Sequence, residues 1–188
     1  MPNWCKNRLS ITGTKNELDK LTDFIKSDEE EGLLFDFNKI IPEPSWNWKT
    51  FSDGVGKYCD EKNEFEINGK KIILDWYWWR VLFWGTKWSL DKDYLQIDRY
   101  DNQVVMRFAT AWSPPEPIVK RLGELFPSLT FKLEYEESGY AFYGFFDCVN
   151  GEVVKDDSYN MTKESHSHYF EFEEDDEDDN KALTTMND

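Results

Sequence analysis

A pattern of strand, helix and strand occurs twice in this chain of 188 residues, and it constrains the fold more than any other feature. Each predicted helix starts with a capping-box signature, at Thr14 to Glu17 in the first half and at Ser113 to Glu116 in the second. Right-handed crossovers then leave a split-βαβ, ferredoxin-like α+β sandwich, in which both helices cover one face of an antiparallel sheet. The flanking strands are expected at 8–12 and 33–37 in the first half, and at 104–110 and 129–136 in the second.

The two halves are separated by a tryptophan-rich segment, residues 45–93, which we interpret as an insertion between them. The chain has nine tryptophans, and five of them lie between residues 75 and 89. The pair Asn68-Gly69 predicts a hairpin, and Asp75 predicts the cap of a helix that ends at Gly85. Large rings with a polar edge suit both cores and interfaces, so the insertion could be core, pocket or interface.

The charge divides the chain into a domain at 1–155 and an acidic tail at 156–188. The formal net charge is −16. The tail holds twelve acids and two lysines, and eight of its acids stand in the nine positions from Glu171 to Asp179. Such a block repels itself and is typical of a flexible, solubilising extension. It could instead mimic nucleic-acid charge toward a basic partner, or add a strand to its own domain.

Charge and composition exclude several classes of function. An excess of acids argues against phosphate neutralisation and against docking on an anionic membrane. No apolar run is long enough to span a bilayer, and the first eight residues lack the apolar core of an export signal. The three cysteines are widely spaced and odd in number, which is not a disulfide framework. We therefore expect a protein of the bacterial cytoplasm.

Several short motifs resemble one known family. They are the opening MPNWC, FNKIIP at 37–42, WGTKW at 84–88, FATAWSPP at 108–115 and YEESG at 135–139. In this order they resemble the phage- and plasmid-encoded family named for a YubB-like ferredoxin-like domain, over residues 1 to about 146. Phe83 stands where the resemblance leads us to expect Asn. The resemblance implies the fold and a mobile-element origin, and it assigns no catalytic residue.

The candidate partner-binding residues fall in two groups. The first is the tryptophan loop, where Lys87 could pair with an acid while indoles act as anchors, together with the tryptophan before the proline pair. The second is the acidic run of the tail. The alternative interpretation of the loop is a turn whose indoles cover one end of the sheet. The full set is Trp84, Lys87, Trp88, Trp112, Glu171, Glu173, Glu174, Asp175, Asp176, Glu177, Asp178 and Asp179.

The sequence predicts no catalytic residue, no metal site and no cofactor. Ser113 is better explained as a helix cap than as a nucleophile, because no histidine lies near it in sequence. His166 and His168 both fall in the acidic tail, where two residues of that spacing would be weak metal ligands. Cys5 is interpreted as a small buried apolar residue.

We therefore expect a non-catalytic accessory protein of a phage or another mobile element, which binds and inhibits a host protein. The expected partner has a basic surface and handles nucleic acid in host defence, as a CRISPR effector or its ribonucleoprotein does. Direct sequence-specific binding of nucleic acid is not expected. Two alternatives stay open. One is a small-molecule-binding domain or enzyme with a tryptophan-lined pocket, and the other is a component of a virion or of its assembly.

Overall fold

The structure is a computed structural model, and it describes residues 3–51 and 57–162. Its centre is a six-stranded antiparallel sheet, whose strands are β1 (Trp4–Thr12), β6 (Gln96–Arg99), β7 (Gln103–Ala111), β8 (Thr130–Glu137), β9 (Phe142–Val149) and β10 (Glu152–Asn160). The strand order in the sheet is β10-β9-β8-β1-β7-β6. The long helices that pack on it are α1 (Lys15–Phe24) and α4 (Glu116–Leu125).

Four of these strands and two helices form the ferredoxin-like arrangement that the sequence predicts. In chain order they run β1, α1, β6, β7, α4 and β8, and β1 lies between β7 and β8. This is the split-βαβ topology, in which each helix crosses over one neighbouring strand. The fold class predicted from the sequence is therefore confirmed, and β9 and β10 extend the sheet beyond β8.

The core lies between the sheet and the two long helices. Alternate residues of β1 point into it, and Leu9 and Ile11 are fully buried there. Apolar residues of α1 spaced by one turn, including Leu18 and Leu21, meet this face. The helix begins as the capping signature predicts, because the Thr14 side chain accepts a hydrogen bond from the backbone N–H three residues later.

The strand predicted at 33–37 is absent from the structure, and the prediction is wrong. Leu33 and Phe35 are buried, but the backbone here pairs with the loop that follows α1. Ser27 N–H donates to the Leu33 carbonyl at 3.0 Å, and Asp36 N–H donates to the Ile25 carbonyl at 2.8 Å. The Asp36 side chain then caps a short helix, α2 (Phe37–Ile40). The alternating apolar residues at 33–37 therefore reflect side-chain burial and not the hydrogen bonding of a β-strand.

The second strand of the first βαβ unit is β6, which forms a hairpin with β7. The tryptophan-rich insertion consequently interrupts this first unit, and does not separate the two halves as expected. It holds the predicted hairpin at Asn68-Gly69 and the predicted helix capped by Asp75. Its elements are β2 (Lys49–Thr50), β3 (Lys57–Tyr58), β4 (Asn63–Ile67), β5 (Lys70–Leu74), α3 (Trp76–Trp84) and a 3₁₀ turn (Lys92–Tyr94).

Two further features concern the ends of the domain. Strand β10 runs through Asn160, so the sheet includes residues 156–160, which the sequence placed in the tail. This edge strand pairs with β9 along its length, apart from one bulge between Val153 and Lys155. No helix in the described ranges is long and apolar enough to cross a membrane.

Candidate functional site

Five aromatic side chains form a continuous row at the end of the sheet where β1 begins and β7 ends. We call this row the aromatic surface: Trp4, Tyr77, Trp78, Trp88 and Trp112. Neighbouring ring centroids are 6.3 Å apart for Trp4 and Trp88, 6.1 Å for Trp88 and Trp112, and 6.3 Å for Trp112 and Tyr77. The two ends of the row face solvent, since Trp4 is 49% exposed and Trp78 is 56% exposed.

The ammonium group of Lys87 lies among four of the neighbouring rings. Its Nζ atom is 4.5 Å from the ring centroid of Trp88, 5.3 Å from Trp112, 5.7 Å from Tyr77 and 5.9 Å from Trp76. All four distances are within the range of cation–π attraction. We call these four rings the ring cage. Among the residues that the structure describes, Lys87 forms no hydrogen bond and no ion pair.

Helix α3 and the turn after it place the rings. The Asp75 side chain caps the helix by accepting from the Trp78 N–H at 2.9 Å, and this fixes the first turn, which carries Trp76 and Tyr77. The helix ends at Gly85, whose φ of 81° is in the left-handed region. A Cβ at this position would lie 2.6 Å from the Pro114 carbonyl oxygen, so only glycine allows the loop to approach so closely.

Buried polar groups tie this loop to the end of β7. Ser113 Oγ donates to the Gly85 carbonyl at 2.6 Å, and Thr86 Oγ1 donates to the Ala111 carbonyl at 3.0 Å. Thr110 Oγ1 in turn donates to the Ser113 carbonyl at 2.7 Å. The prediction that Ser113 caps the second helix is therefore wrong. Helix α4 begins at Glu116, so its cap position is Pro115, two residues after Ser113 and without a side-chain cap, and the Ser113 hydroxyl holds the tryptophan loop.

Trp112 occupies an unusual backbone conformation. Its φ is 68°, in the left-handed region where a bulky side chain is an outlier. Its N–H donates to the Asn3 carbonyl at 3.0 Å, which joins it to the residue before Trp4. Backbone strain of this kind costs about 1–3 kcal/mol and is concentrated at functional sites. The strained backbone aims the Trp112 ring into the aromatic surface instead of along the strand.

The structure brings together three of the predicted contact residues and separates the fourth. Lys87, Trp88 and Trp112 meet in the ring cage. Trp84, by contrast, is a core residue at 2% exposure, and its Nε1 donates to the Ile41 carbonyl at 2.9 Å. It packs edge-on against Phe37, so its interpretation as a partner-binding residue is corrected to a structural role.

Sequence reasoning missed the contribution of Trp4 and of the first turn of α3. Trp4 reaches the surface because β1 pairs with β7 in a register that sets Trp4 opposite Ala111. The signal for Trp76 and Tyr77 was their position directly after the Asp75 cap, which puts both in one helical turn. Their meeting with Trp112 depends on strand pairing, and no local pattern encodes it.

The other predicted residues lie outside the described part of the chain. These are the acids Glu171, Glu173, Glu174, Asp175, Asp176, Glu177, Asp178 and Asp179, and the histidines His166 and His168. Within residues 3–51 and 57–162, no three His, Cys, Asp or Glu side chains stand close enough to hold a metal ion.

Burial shifts the pKa of two cysteines and of a carboxyl group at the start of α4. All three cysteines are free, and burial raises the pKa of the Cys148 thiol to about 11 and that of Cys5 further. Both thiols are therefore held in the protonated, unreactive form. At the start of α4, burial raises the pKa of Glu116, although a hydrogen bond with Tyr135 opposes the effect.

Comparisons with known proteins agree with this topology. The family model described as the ferredoxin-like domain in Api92-like protein matches residues 83–185. The crystal structure of the protein Api92 from Yersinia pseudotuberculosis superposes with a TM-score of 0.55 at 12% sequence identity, covering 86% of this chain and 99% of that one. No curated protein matches the sequence. Since the family model spans more than half of its length, this chain belongs to the family of the ferredoxin-like domain in Api92-like protein.

Proposed function

We propose that this protein is a non-catalytic binding protein whose aromatic surface contacts a host protein and inhibits it. The observation that carries the proposal is Trp112. Its backbone is held in the left-handed region, and its ring joins the half-buried centre of the aromatic surface. If the Trp112 ring only covered the end of the sheet, a turn without a positive φ at this residue would be sufficient. A role of the ring in recognition accounts for the retention of the strained backbone.

The composition of the surface suits a protein interface. Tryptophan and tyrosine are enriched among the residues that contribute most to binding, since each buries a large area with few rotatable bonds. The exposed rings of Trp4 and Trp78 flank the half-buried rings of Trp88 and Trp112. A centre of half-buried rings with accessible neighbours can be sealed from water by a partner, which is the condition under which such anchors are strongest.

Charge supports a basic partner. The net charge of −16 steers the chain toward positive surfaces and away from anionic ones. Together with the resemblance to YubB-like proteins of phages and plasmids, this leads us to a mobile-element origin and to a target in the bacterial cytoplasm. The proposed target is a nucleic-acid-handling defence protein with a basic groove, such as a CRISPR effector or its ribonucleoprotein. In this proposal the acidic run Glu171–Asp179 speeds the encounter.

The proposal is tested by capturing partners from host lysate with the full chain and with two variants. Trp4→Ala removes an exposed ring of the aromatic surface. Tyr100→Ala is the matched control. It removes an exposed ring at the opposite end of β7, in the turn that joins β6 to β7. We expect one stoichiometric partner, with affinity lowered about 30-fold by Trp4→Ala and unchanged by Tyr100→Ala.

Two results would count against the proposal. Equal capture by the two variants would mean that the aromatic surface is not the contact. A small molecule that remains on the purified protein and is lost with Trp4→Ala would instead favour the alternative function, a tryptophan-lined ligand site. Both variants are first compared with the unmodified chain by thermal unfolding, so that a loss of binding is not a loss of fold.

A further inference from the structure

We infer that the ring cage is a binding site for an alkylammonium group, and that Lys87 is its internal occupant, which a lysine side chain of the partner replaces. Four aromatic faces converge on one point, where the Lys87 Nζ lies 4.5–5.9 Å from the four centroids. Each ring presents a negative face to the cation. Clusters of this kind are the means by which proteins recognise lysine-like and quaternary ammonium groups.

A comparison with Arg80 shows why Lys87 is exchangeable. The Arg80 guanidinium also lies over two rings, 5.3 Å from Trp76 and 5.0 Å from Trp84. It is fixed there by two hydrogen bonds to the Glu43 carboxylate, at 2.7 and 2.6 Å. Lys87 has no such carboxylate among the described residues. Its ammonium group is held by the rings alone. A second cation in the same place would therefore make the cation–π contacts that are lost when Lys87 leaves.

The walls of the cage remain in place when the lysine leaves. Trp112 is fixed by its hydrogen bond to the Asn3 carbonyl and by the buried network at Thr110. Trp76 and Tyr77 belong to a capped helix. A preformed site loses little conformational entropy on binding, which favours an external ligand. The lysine side chain has four flexible bonds and can turn toward solvent from the half-buried edge of the surface.

The identity of the occupant follows from charge and rests on the proposed function. An acidic chain with a net charge of −16 meets partners with basic surfaces, and the side chains that such surfaces present are lysine and arginine. A lysine ammonium matches the group already in the cage. The partner would therefore place a lysine ammonium where the Lys87 Nζ now lies, beside the rings of Trp88 and Trp112, and Lys87 would turn toward solvent.

The test uses tetramethylammonium chloride as the probe and the full chain as the receptor. Binding is followed by tryptophan fluorescence and by the indole N–H signals in NMR spectra, at constant ionic strength. The neutral control ligand is 3,3-dimethyl-1-butanol, whose tert-butyl group presents three methyl groups as the probe does but carries no charge. The variants are Lys87→Ala, which empties the cage, and Lys87→Arg, which keeps a cation in it.

We expect Lys87→Ala to bind tetramethylammonium about tenfold more tightly than the unmodified chain, because no internal cation competes. Lys87→Arg should show no gain, and the neutral alcohol should not bind to any of the three proteins. Equal affinity in the unmodified chain and in Lys87→Ala would overturn the inference, as would equal binding of the neutral ligand. If Lys87→Ala does not fold, absence of ammonium binding to the unmodified chain up to high concentration overturns it.

The same variants separate this inference from the proposed function. Partner capture that is retained or strengthened in Lys87→Ala supports the replacement of Lys87 by a partner lysine. Capture that is lost in this variant, while Trp4→Ala also weakens it, leaves the proposed function standing and overturns the role of Lys87 as an exchangeable occupant. Ammonium binding without any captured host protein would contradict the proposed function and retain the cage as a cation site.

Discussion

The ion pair between Glu43 and Arg80 should be one of the most costly polar interactions to break in this protein. Their side chains are only 13% and 18% exposed, and two short hydrogen bonds join them. Glu43 also accepts from the Trp46 indole N–H at 2.8 Å. Glu43→Ala therefore leaves a guanidinium and an indole N–H without their partner. Removing one member of a buried pair costs about 3–5 kcal/mol, and partial exposure favours the lower end, about 3 kcal/mol.

This loss is measured by urea unfolding followed through tryptophan fluorescence and circular dichroism. For a domain of this size, about 3 kcal/mol corresponds to a fall in melting temperature of roughly 6–12 °C. The matched control is Glu64→Ala in β4, which breaks the exposed pair with Lys71. Exposed ion pairs contribute about 0–1 kcal/mol, so this control should change the free energy of unfolding by less than that.

A double variant tests whether the cost comes from the unpaired charge. Glu43→Leu combined with Arg80→Met replaces the pair by apolar side chains of similar length. Because no charge is then left buried, this double variant should be more stable than Glu43→Ala alone. If Glu43→Ala loses less than about 1 kcal/mol of unfolding free energy, the pair contributes no more than an exposed ion pair does, and the reasoning from its burial is refuted.

Three further outcomes follow from the structure. Gly144→Ala should lower the free energy of unfolding by about 1–3 kcal/mol, because its Cβ would lie 2.3 Å from the Tyr135 hydroxyl oxygen. Truncation after Thr162 should leave the melting temperature within a few degrees, whereas truncation after Lys155 removes half of β10 and should lower it clearly. Glu116→Gln should raise stability at neutral pH and reduce its fall with rising pH. Burial raises the folded-state pKa of this carboxyl, so its favourable protonated form is lost as pH rises through that pKa.

Local signals predicted those elements whose ends are set by short-range chemistry. The Thr14 capping box, the Asn68-Gly69 hairpin and the Asp75 cap all occur where the sequence placed them. Ser113 is not the cap because helix α4 begins at Glu116 with Pro115 at its cap position, and the Ser113 hydroxyl donates instead to the Gly85 carbonyl, 28 positions earlier in the chain. A capping pattern indicates which hydrogen bonds are available locally, but tertiary contacts decide at which residue the helix begins.

The strand expected at 33–37 failed for a related reason. Alternating apolar residues indicate which side chains are buried, and Leu33 and Phe35 are indeed buried. The pattern does not state where the backbone finds its hydrogen bonds. Here the loop after α1 provides them, through Ser27 and Ile25. The place in the sheet goes to β6, which pairs with β7 through a tight hairpin that closes only a short loop.

The candidate site was only partly predictable because three distant segments build it. Trp4 arrives by strand register, Trp76 and Tyr77 by a helix cap, and Trp112 by a strained turn. The sequence could mark Trp88 and Trp112 as unusual, but their ring contacts exist only once β1 and β7 are paired. The surface therefore depends on correct sheet assembly, although none of its rings is needed to fill the central core.

This separation of surface from core allows recognition and stability to be changed independently. Exposed rings such as Trp4 contact other rings of the surface, and the central core packs without them. The side chains of Ser113 and Thr86 have a structural role instead, because their hydrogen bonds, part-buried for Ser113 and buried for Thr86, hold the loop in place. Substitutions in the first group should alter binding with little change in unfolding, and substitutions in the second should weaken both. A variant of Trp4 that destabilised the fold as much as one of Thr86 would show that surface and scaffold are a single unit.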